Sequence, residues 1–269
     1  MADVGSQTSN YLWNGDCLEE MKQIPDNSID AIICDLPYGT TACKWDEVIP
    51  FDLLWEQYNR IAKINAPIIL NSAQPFTTHL INSNIYDFKY TLVWNKNKVT
   101  SPYLANKRPM VCHEDICIFY KKQPTYNPQK IKRTEAEFKR LAKKPKKTIS
   151  KNEVYGNFES TYSNRESGEY KHPKSILNIP TMHKIKSVHP TQKPLDLLKW
   201  LIKSYTNEND WVLDNTCGSN TTGIACMDLN RNYIGIEKDI DIYNVAKKRV
   251  EKNILLRANK PKTLFEAQT

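Results

Sequence analysis

Short apolar runs alternate with helical patterns along this chain, and that alternation limits the folds open to it more than any other feature. Residues 29–34, Ile-Asp-Ala-Ile-Ile-Cys, read as a buried strand, and 66–71, 88–94 and 115–120 read likewise. Between them, Leu54, Tyr58 and Ile61 recur at helical spacing over 51–63, and a second helix is expected over 74–82. Near the other end the pattern returns as helix 194–204, strand 211–214, helix 221–228, strand 233–237 and helix 240–253. A first strand at 11–13 leads to Asp16, placed to cap a helical turn from Cys17 to Lys22. Strands that alternate with helices pair in parallel, because each crossover helix returns the chain to the same end of the sheet. The expectation is an α/β fold with a doubly wound, mostly parallel sheet. The polar stretch 95–114 reads as a loop that closes over a site.

The alternation is interrupted once. From Lys121 to about Lys174 apolar periodicity fades and Lys, Asn, Ser, Tyr and Pro dominate, with one short helix expected at 135–141. The chain has a net charge of +8, yet residues 121–151 hold twelve Lys/Arg against only Glu135 and Glu137, a local +10. A basic block on an otherwise neutral body is the electrostatic footprint of a polyanion-binding element. The expected organisation is therefore 11–120 as one half of a domain, 121–175 as an inserted basic region, and 176–256 as the other half.

Two stretches carry chemistry. Strand 29–34 ends in Asp35-Leu36-Pro37-Tyr38-Gly39, which puts a carboxylate and an aromatic ring on one turn. In an open parallel sheet, ligands bind at the carboxyl ends of the strands. An acid and a ring there can grip a planar polar group, the acid by accepting hydrogen bonds and the ring by stacking. Strand 211–214 ends in Asp214, and a turn with Gly218 leads into Thr221-Thr222-Gly223 at a helix start. Gly218 can take a positive φ, and the helix N-terminus offers free N–H groups. Strand 233–237 then ends in Glu237, an acid placed to accept both hydroxyls of a ribose. No Gly-x-x-x-x-Gly-Lys pattern is present, which argues against a phosphate-cradling nucleotide loop.

Together these stretches resemble the amino-group DNA methyltransferases that use S-adenosyl-L-methionine. That family's catalytic signature, Asp/Asn/Ser-Pro-Pro-Tyr, is matched by Asp35-Leu36-Pro37-Tyr38, and its cofactor signature by Asp214 to Gly223. A third signature, His-Pro-Thr-Gln-Lys-Pro, stands intact at His189 to Pro194. Asn14-Gly15-Asp16-Cys17 is similar to the segment that meets the cofactor's adenine. The catalytic signature precedes the cofactor signature with the basic block between them, as in the β group, whose target-recognition region is central. Leu36 replaces the first proline but keeps the carbonyl. Asn220 replaces the second glycine, and asparagine tolerates the left-handed region better than most residues.

The resemblance implies a Rossmann-like methyltransferase fold and a site-specific enzyme of restriction-modification type. It assigns catalysis to Asp35, Leu36, Pro37 and Tyr38. Cofactor contacts fall to Asp16, Cys17, Asp35, His189, Thr191, Gln192, Lys193, Asp214, Cys217, Gly218, Asn220, Thr221 and Glu237. Adenine N6 in duplex DNA is the expected target, the base being flipped out of the helix and stacked on Tyr38. Phosphate contacts are expected from Lys130, Lys132, Arg133, Lys139, Arg140, Lys143, Lys144, Lys146 and Lys147. Asn127, Gln129, Asn152, Asn157, Asn164 and Arg165 are candidate base readers. Two other readings stay open: an N4-cytosine enzyme, and a DNA-binding subunit that does not catalyse. Dimers occur in the group; a homodimer and a restriction endonuclease partner are compatible with the residues but not indicated by them.

Seven scattered cysteines, an odd number, fit reduced thiols in a cytoplasmic protein better than a disulfide framework. Cys112, His113 and Cys117 lack a second Cys/His pair at suitable spacing, so no metal site is expected. No apolar run is long enough to span a membrane. Met1 to Asn10 lacks the apolar core of a signal peptide.

Overall fold

The computed structural model describes residues 8–40, 46–100, 102–142, 169–181 and 192–258. It divides into two compact units, 128–174 and the remainder of the chain. In chain order the elements are β1 (Asn10–Asn14), α1 (Cys17–Glu20), β2 (Ala31–Cys34), α2 (Phe51–Ile61), β3 (Ile68–Ser72), α3 (Phe76–Ser83), β4 (Phe88–Thr100) and β5 (Val111–Phe119). The small unit holds β6 (Ile131–Lys132), α4 (Glu135–Ala142) and β7 (Tyr170–Lys171). The chain continues with β8 (Ile176–Asn178), α5 (Leu195–Tyr205), β9 (Trp211–Asp214), α6 (Thr221–Asp228), β10 (Asn232–Glu237) and α7 (Ile240–Ala258).

Among the described residues of the large unit, eight strands form one sheet in the order β1-β10-β9-β2-β3-β5-β4-β8. All pairings are parallel except β3 with β5 and β5 with β4. The sheet runs outward in opposite directions from β2 and β9, which lie side by side with Ile32 opposite Leu213. This is the topological switch point, where a crevice opens at the strands' carboxyl ends.

The strands are apolar because both faces are covered. Ile32, Leu70, Phe119 and Ile236 pack with α2 residues Leu54, Tyr58 and Ile61 on one face. Ile33, Ile69, Ile118 and Val212 pack with α5 residues Leu197, Leu198 and Leu201 on the other. Each fully buried aliphatic side chain contributes about 1.5–3 kcal/mol, so residues on both faces tie the central strands down. Asp16 caps α1 by accepting from the Leu18 N–H at 3.0 Å.

One expectation is corrected. The stretch 95–114 is not a single loop: β4 runs on to Thr100 and β5 begins at Val111, so the two strands project as a long antiparallel pair. Asn97, Lys98, Val99, Cys112 and His113 are all exposed, so this part of the pair has no covered face to leave an apolar pattern. The three-residue β8, paired in parallel with β4 at Val93, Trp94 and Asn95, is too short to signal itself in the sequence.

The small unit has its own local logic. Thr134 and Glu137 form a capping box at the start of α4: the Glu137 N–H donates to Thr134 Oγ1 at 3.3 Å, and the Thr134 N–H to Glu137 Oε2 at 3.0 Å. Lys171 pairs with Glu137 at 2.5 Å, and Ile131 and Lys132 pair with Lys171 and Tyr170 across β6 and β7.

Candidate active site

A cleft of about 1560 Å³ opens at the switch point. It is larger than the ~300–1,000 Å³ typical of a single small-molecule site, so it has room for two ligands side by side. Asp35, Leu36, Pro37 and Tyr38 line one side; Asp214, Cys217, Gly218, Thr221 and Glu237 line the other. Asp16, Cys17, Gln192 and Lys193 complete the expected residues on its wall. His189 and Thr191 lie outside the described residues, as do Lys143, Lys144, Lys146, Lys147, Asn152, Asn157, Asn164, Arg165 and the Arg140 side chain.

The turn after β2 is built from both directions. Leu36 is buried and joins the core cluster of Cys34, Leu54 and Phe76, so the residue that departs from the family pattern anchors the turn by packing. The Tyr38 ring stacks on Phe76 at 5.1 Å between centroids, and its hydroxyl donates to Asp35 Oδ1 at 2.9 Å. Burial, then the Asp35 charge, push the Tyr38 phenol well above its ordinary pKa, so it stays a donor. The backbone of the turn is gathered by Asp46, a residue that no sequence pattern marks. Its Oδ1 accepts from the Tyr38 and Gly39 N–H groups at 2.7 and 2.9 Å, and Oδ2 from that of Thr40 at 2.9 Å.

Lys193 reaches the same carboxylate from the far side of the chain. Its Nζ donates to Asp35 Oδ2 at 2.6 Å and forms an ion pair with Glu114 Oε2 at 3.1 Å. Glu114 Oε1 in turn pairs with Lys96 at 2.6 Å. Neither Glu114 nor Lys96 stands out in the sequence, because both come from the β4–β5 ribbon that reads as loop. Asn71, fully buried at the end of β3, donates to the Cys34 carbonyl at 3.1 Å, and its Oδ1, on the cleft wall, has no hydrogen-bond partner among the described residues. Trp94 is buried and donates from Nε1 to the Ile179 carbonyl at 2.7 Å, the position of a core and rim residue.

Across the cleft, Asp214 is buried and accepts from Thr222 Oγ1 at 2.6 Å and the Thr216 N–H at 3.2 Å. Burial pushes its carboxyl up to about 7. Gly218 takes φ +52, and Asn220 takes φ +63 as N-cap of α6, so both turn positions that need a left-handed conformation have it. Gly223 is required for a different reason: a Cβ there would come within 2.4 Å of the Asn220 side chain and 2.6 Å of Tyr233. Glu237 accepts from the Gly218 N–H at 2.9 Å and the Asp239 N–H at 2.8 Å, one on each oxygen. Each oxygen keeps a lone pair for a further donor. Burial raises the Glu237 carboxyl. Arg249 of α7 braces the turn from behind, donating to the Ser219 carbonyl, to Ser219 Oγ at 2.8 Å and to Thr221 Oγ1 at 3.2 Å.

The cleft's charge is opposite to that of the chain. Among the described residues, eight acids line it against four lysines, whereas the whole chain carries +8. A net-negative cleft with carboxylates at its mouth fits a cationic, hydroxyl-bearing ligand, which is the chemistry of a sulfonium nucleoside. Residues 128–174 carry thirteen Lys/Arg against six acids, +7 of the total. Lys130, Lys132 and Lys139 are exposed there, and Arg133 is partly so. Asn127, one of the candidate base readers, instead donates from its side chain to the Thr206 carbonyl at 3.1 Å within the large unit.

The family model for DNA methylases of the N6/N4 type matches residues 29–248. The chain belongs to that family. It is a site-specific DNA methyltransferase of the amino-group class, and its methyl donor is S-adenosyl-L-methionine. It is 27% identical over 306 residues to the Type II methyltransferase M.HindIII of Haemophilus influenzae, covering 90% of this chain and 96% of that one. It is 29% identical over 258 residues to the DNA adenine methyltransferase YhdJ of Escherichia coli, covering 88% and 81%. Among solved structures, the PvuII cytosine-N4-specific DNA methyltransferase superposes with a TM-score of 0.63 at 17% identity, covering 94% of this chain and 93% of that one, a likeness of fold. The Rossmann-like α/β architecture expected of this chain is therefore the one found. Among the described residues, no helix is long and apolar enough to cross a membrane.

Proposed function

We propose that this methyltransferase acts on adenine N6 in duplex DNA, with the target base flipped into the cleft beside Asp35. The observation that carries the reading is the position of the Asp35 carboxylate: it stands at the switch point, on a turn whose backbone is tied to the turn after β9 by Thr216 Oγ1, which donates to the Asp35 backbone carbonyl at 3.1 Å. An exocyclic amine is a poor nucleophile because its lone pair is delocalised into the ring. Asp35 and the Leu36 carbonyl would accept its two N–H bonds and localise charge on the nitrogen as it attacks in line. Tyr38, held by Phe76, would supply a stacking face. Glu237 would hold the ribose hydroxyls, the segment with Asp16 and Cys17 would meet the cofactor's adenine, and the Asp214–Gly218–Thr221 turn, with His189, Thr191, Gln192 and Lys193, would wrap the rest of the cofactor. The bound cofactor supplies an electrophilic methyl on a sulfonium. An acid at the first position of the catalytic turn favours adenine, as does the relationship to an adenine methyltransferase.

Residues 121–175 would form the target-recognition region, with Lys130, Lys132, Arg133, Lys139, Arg140, Lys143, Lys144, Lys146 and Lys147 on phosphates and no role in reading sequence. The kinship to a Type II modification enzyme makes a restriction endonuclease partner, and a cytoplasmic location, part of the same reading.

The test is direct. The protein is incubated with cofactor labelled at the methyl group and with unmethylated phage DNA, and the DNA is hydrolysed to nucleosides. Label in N6-methyladenine supports the reading. Label in N4-methylcytosine overturns the choice of base, and DNA that is bound but unlabelled favours a subunit that does not catalyse.

A further inference from the structure

Both oxygens of Asp35 are occupied in this structure, Oδ1 by the Tyr38 hydroxyl and Oδ2 by the Lys193 ammonium. Each oxygen keeps a lone pair, but the ammonium on Oδ2 offsets the carboxylate's charge and so weakens it as an acceptor for an amine that docks there. Lys193 is about one-tenth exposed, so it has little access to solvent. The other carboxylate beside it among the described residues is Glu114, 3.1 Å away. The Trp94 ring lies beside both ammonium groups: Lys193 Nζ is 6.0 Å from its centroid and Lys96 Nζ 5.7 Å. Lys96 fixes Glu114 by pairing with its other oxygen.

We propose that Glu114 is a positioning residue that draws the Lys193 ammonium off Asp35 when the target amine enters. The proposal rests on the reading of Asp35 as the amine acceptor. Lys193 thus has two stations a short swing apart, one on Asp35 in the resting site and one on Glu114 when the base is docked. The charges persist throughout. Burial works against the Glu114 carboxylate, but Lys193 and Lys96 outweigh it and its pKa is lowered; burial works against the Lys193 ammonium, but Asp35 and Glu114 outweigh it and its pKa is raised. What changes is which carboxylate the ammonium occupies. The four-charge row Lys96–Glu114–Lys193–Asp35 is neutral overall, and the swing leaves that net charge unchanged.

Glu114→Gln keeps the shape and an oxygen for Lys96 but removes the charge that competes for Lys193. The ammonium then stays on Asp35, and the fraction of sites able to accept the base falls. Apparent affinity falls by that fraction, so KM for DNA should rise about tenfold while kcat stays within about twofold. The cofactor Kd should be unchanged. Lys193 is also assigned to the cofactor, so KM for DNA is measured at saturating cofactor; adding Lys193→Gln to Glu114→Gln removes the competing ammonium and should then bring KM for DNA down again by several fold. A purely structural role for Glu114 predicts the reverse, a double variant with a higher KM for DNA than either single one. The assay uses the full chain, unmethylated phage DNA and labelled cofactor. An unchanged KM in Glu114→Gln, or no recovery in the double variant, overturns the proposal. Should Glu114→Gln fail to fold, the comparison moves to Lys193→Gln alone at saturating cofactor: the proposal requires a KM for DNA no higher than the parent's, and a higher one rejects it. Asp35→Ala is assayed alongside. Parent-like turnover there rejects the role of Asp35 itself; an inactive Asp35→Ala with an unchanged Glu114→Gln rejects only the role of Glu114.

Discussion

The Thr216 hydroxyl donates to the Asp35 carbonyl oxygen at 3.1 Å and so ties the turn after β2 to the turn after β9, 181 residues apart in sequence. A methyl transfer needs its two partners held in line, and this bond fixes the relative height of the two turns that would hold them. Thr216→Val keeps the shape and removes the donor. A net hydrogen bond is worth about 1 kcal/mol, so kcat/KM should fall roughly fivefold, with cofactor affinity little changed. Steady-state kinetics and a cofactor titration check this; an unchanged kcat/KM would mean that the two turns keep their spacing without the bond.

Asp35→Ala removes the proposed acceptor of the amine. Loss of one preorganised electrostatic group at a reacting centre commonly costs about 100-fold or more in rate. Single-turnover label transfer should therefore be lost, while cofactor and DNA binding, measured by titration and gel shift, remain.

Asp46→Ala would strip the acceptors from three backbone N–H groups of the catalytic turn at once. Stranded partly buried donors cost about 1–3 kcal/mol each, so both stability and turnover should fall. Asp46→Asn should be intermediate, since its Oδ1 still serves Tyr38 and Gly39 but an amide N–H faces Thr40. Thermal melts read together with kcat test it, and equal effects of the two substitutions would point to a role for the side chain other than these bonds.

Asp214, with its carboxyl raised to about 7 from an ordinary 3.8, gives a pH signature in the cofactor-free protein. Between those values the folded state holds a proton that the unfolded state has lost. The contribution of Asp214 to stability is therefore full below about pH 4 and declines as pH rises toward 7. Asp214→Asn removes that slope. Denaturant unfolding from pH 4.5 to 7.5 should show a flatter profile in the variant, and parallel profiles would show that Asp214 does not titrate in this range.

Neutralising Lys143, Lys144, Lys146 and Lys147 to Gln should weaken DNA binding and flatten its dependence on salt. Every phosphate that the protein ceases to neutralise lowers the log–log slope by about 0.9 for duplex DNA. Binding isotherms at several salt concentrations measure this directly, and an unchanged slope would remove the basic region from the DNA interface.

The sequence determined the sheet and its crevice. Ile29 to Cys34 and Trp211 to Asp214 are apolar because the central strands are covered on both faces, and a strand buried on both sides announces itself locally. The turns that follow them are legible for the same reason: Asp35, Gly218, Asn220 and Glu237 sit at fixed offsets from strand ends, where backbone geometry limits which residue types fit. The tertiary structure alone decided what meets Asp35. Lys193, Glu114 and Lys96 converge from α5's leading edge, β5 and β4, and Asp46 folds back on its own turn. The signature at 189–194 marks Lys193 as a cofactor contact but not as the partner of Asp35, and no local pattern marks Glu114, Lys96 or Asp46, because a polar side chain near a loop has the same composition whether it faces water or a partner. The β4–β5 ribbon escapes a sequence reading on the same physical ground: strands that project beyond the covered sheet have no apolar face to write into the sequence. What can be read is what burial dictates, and what cannot is the pairing of charges brought together by chain crossing.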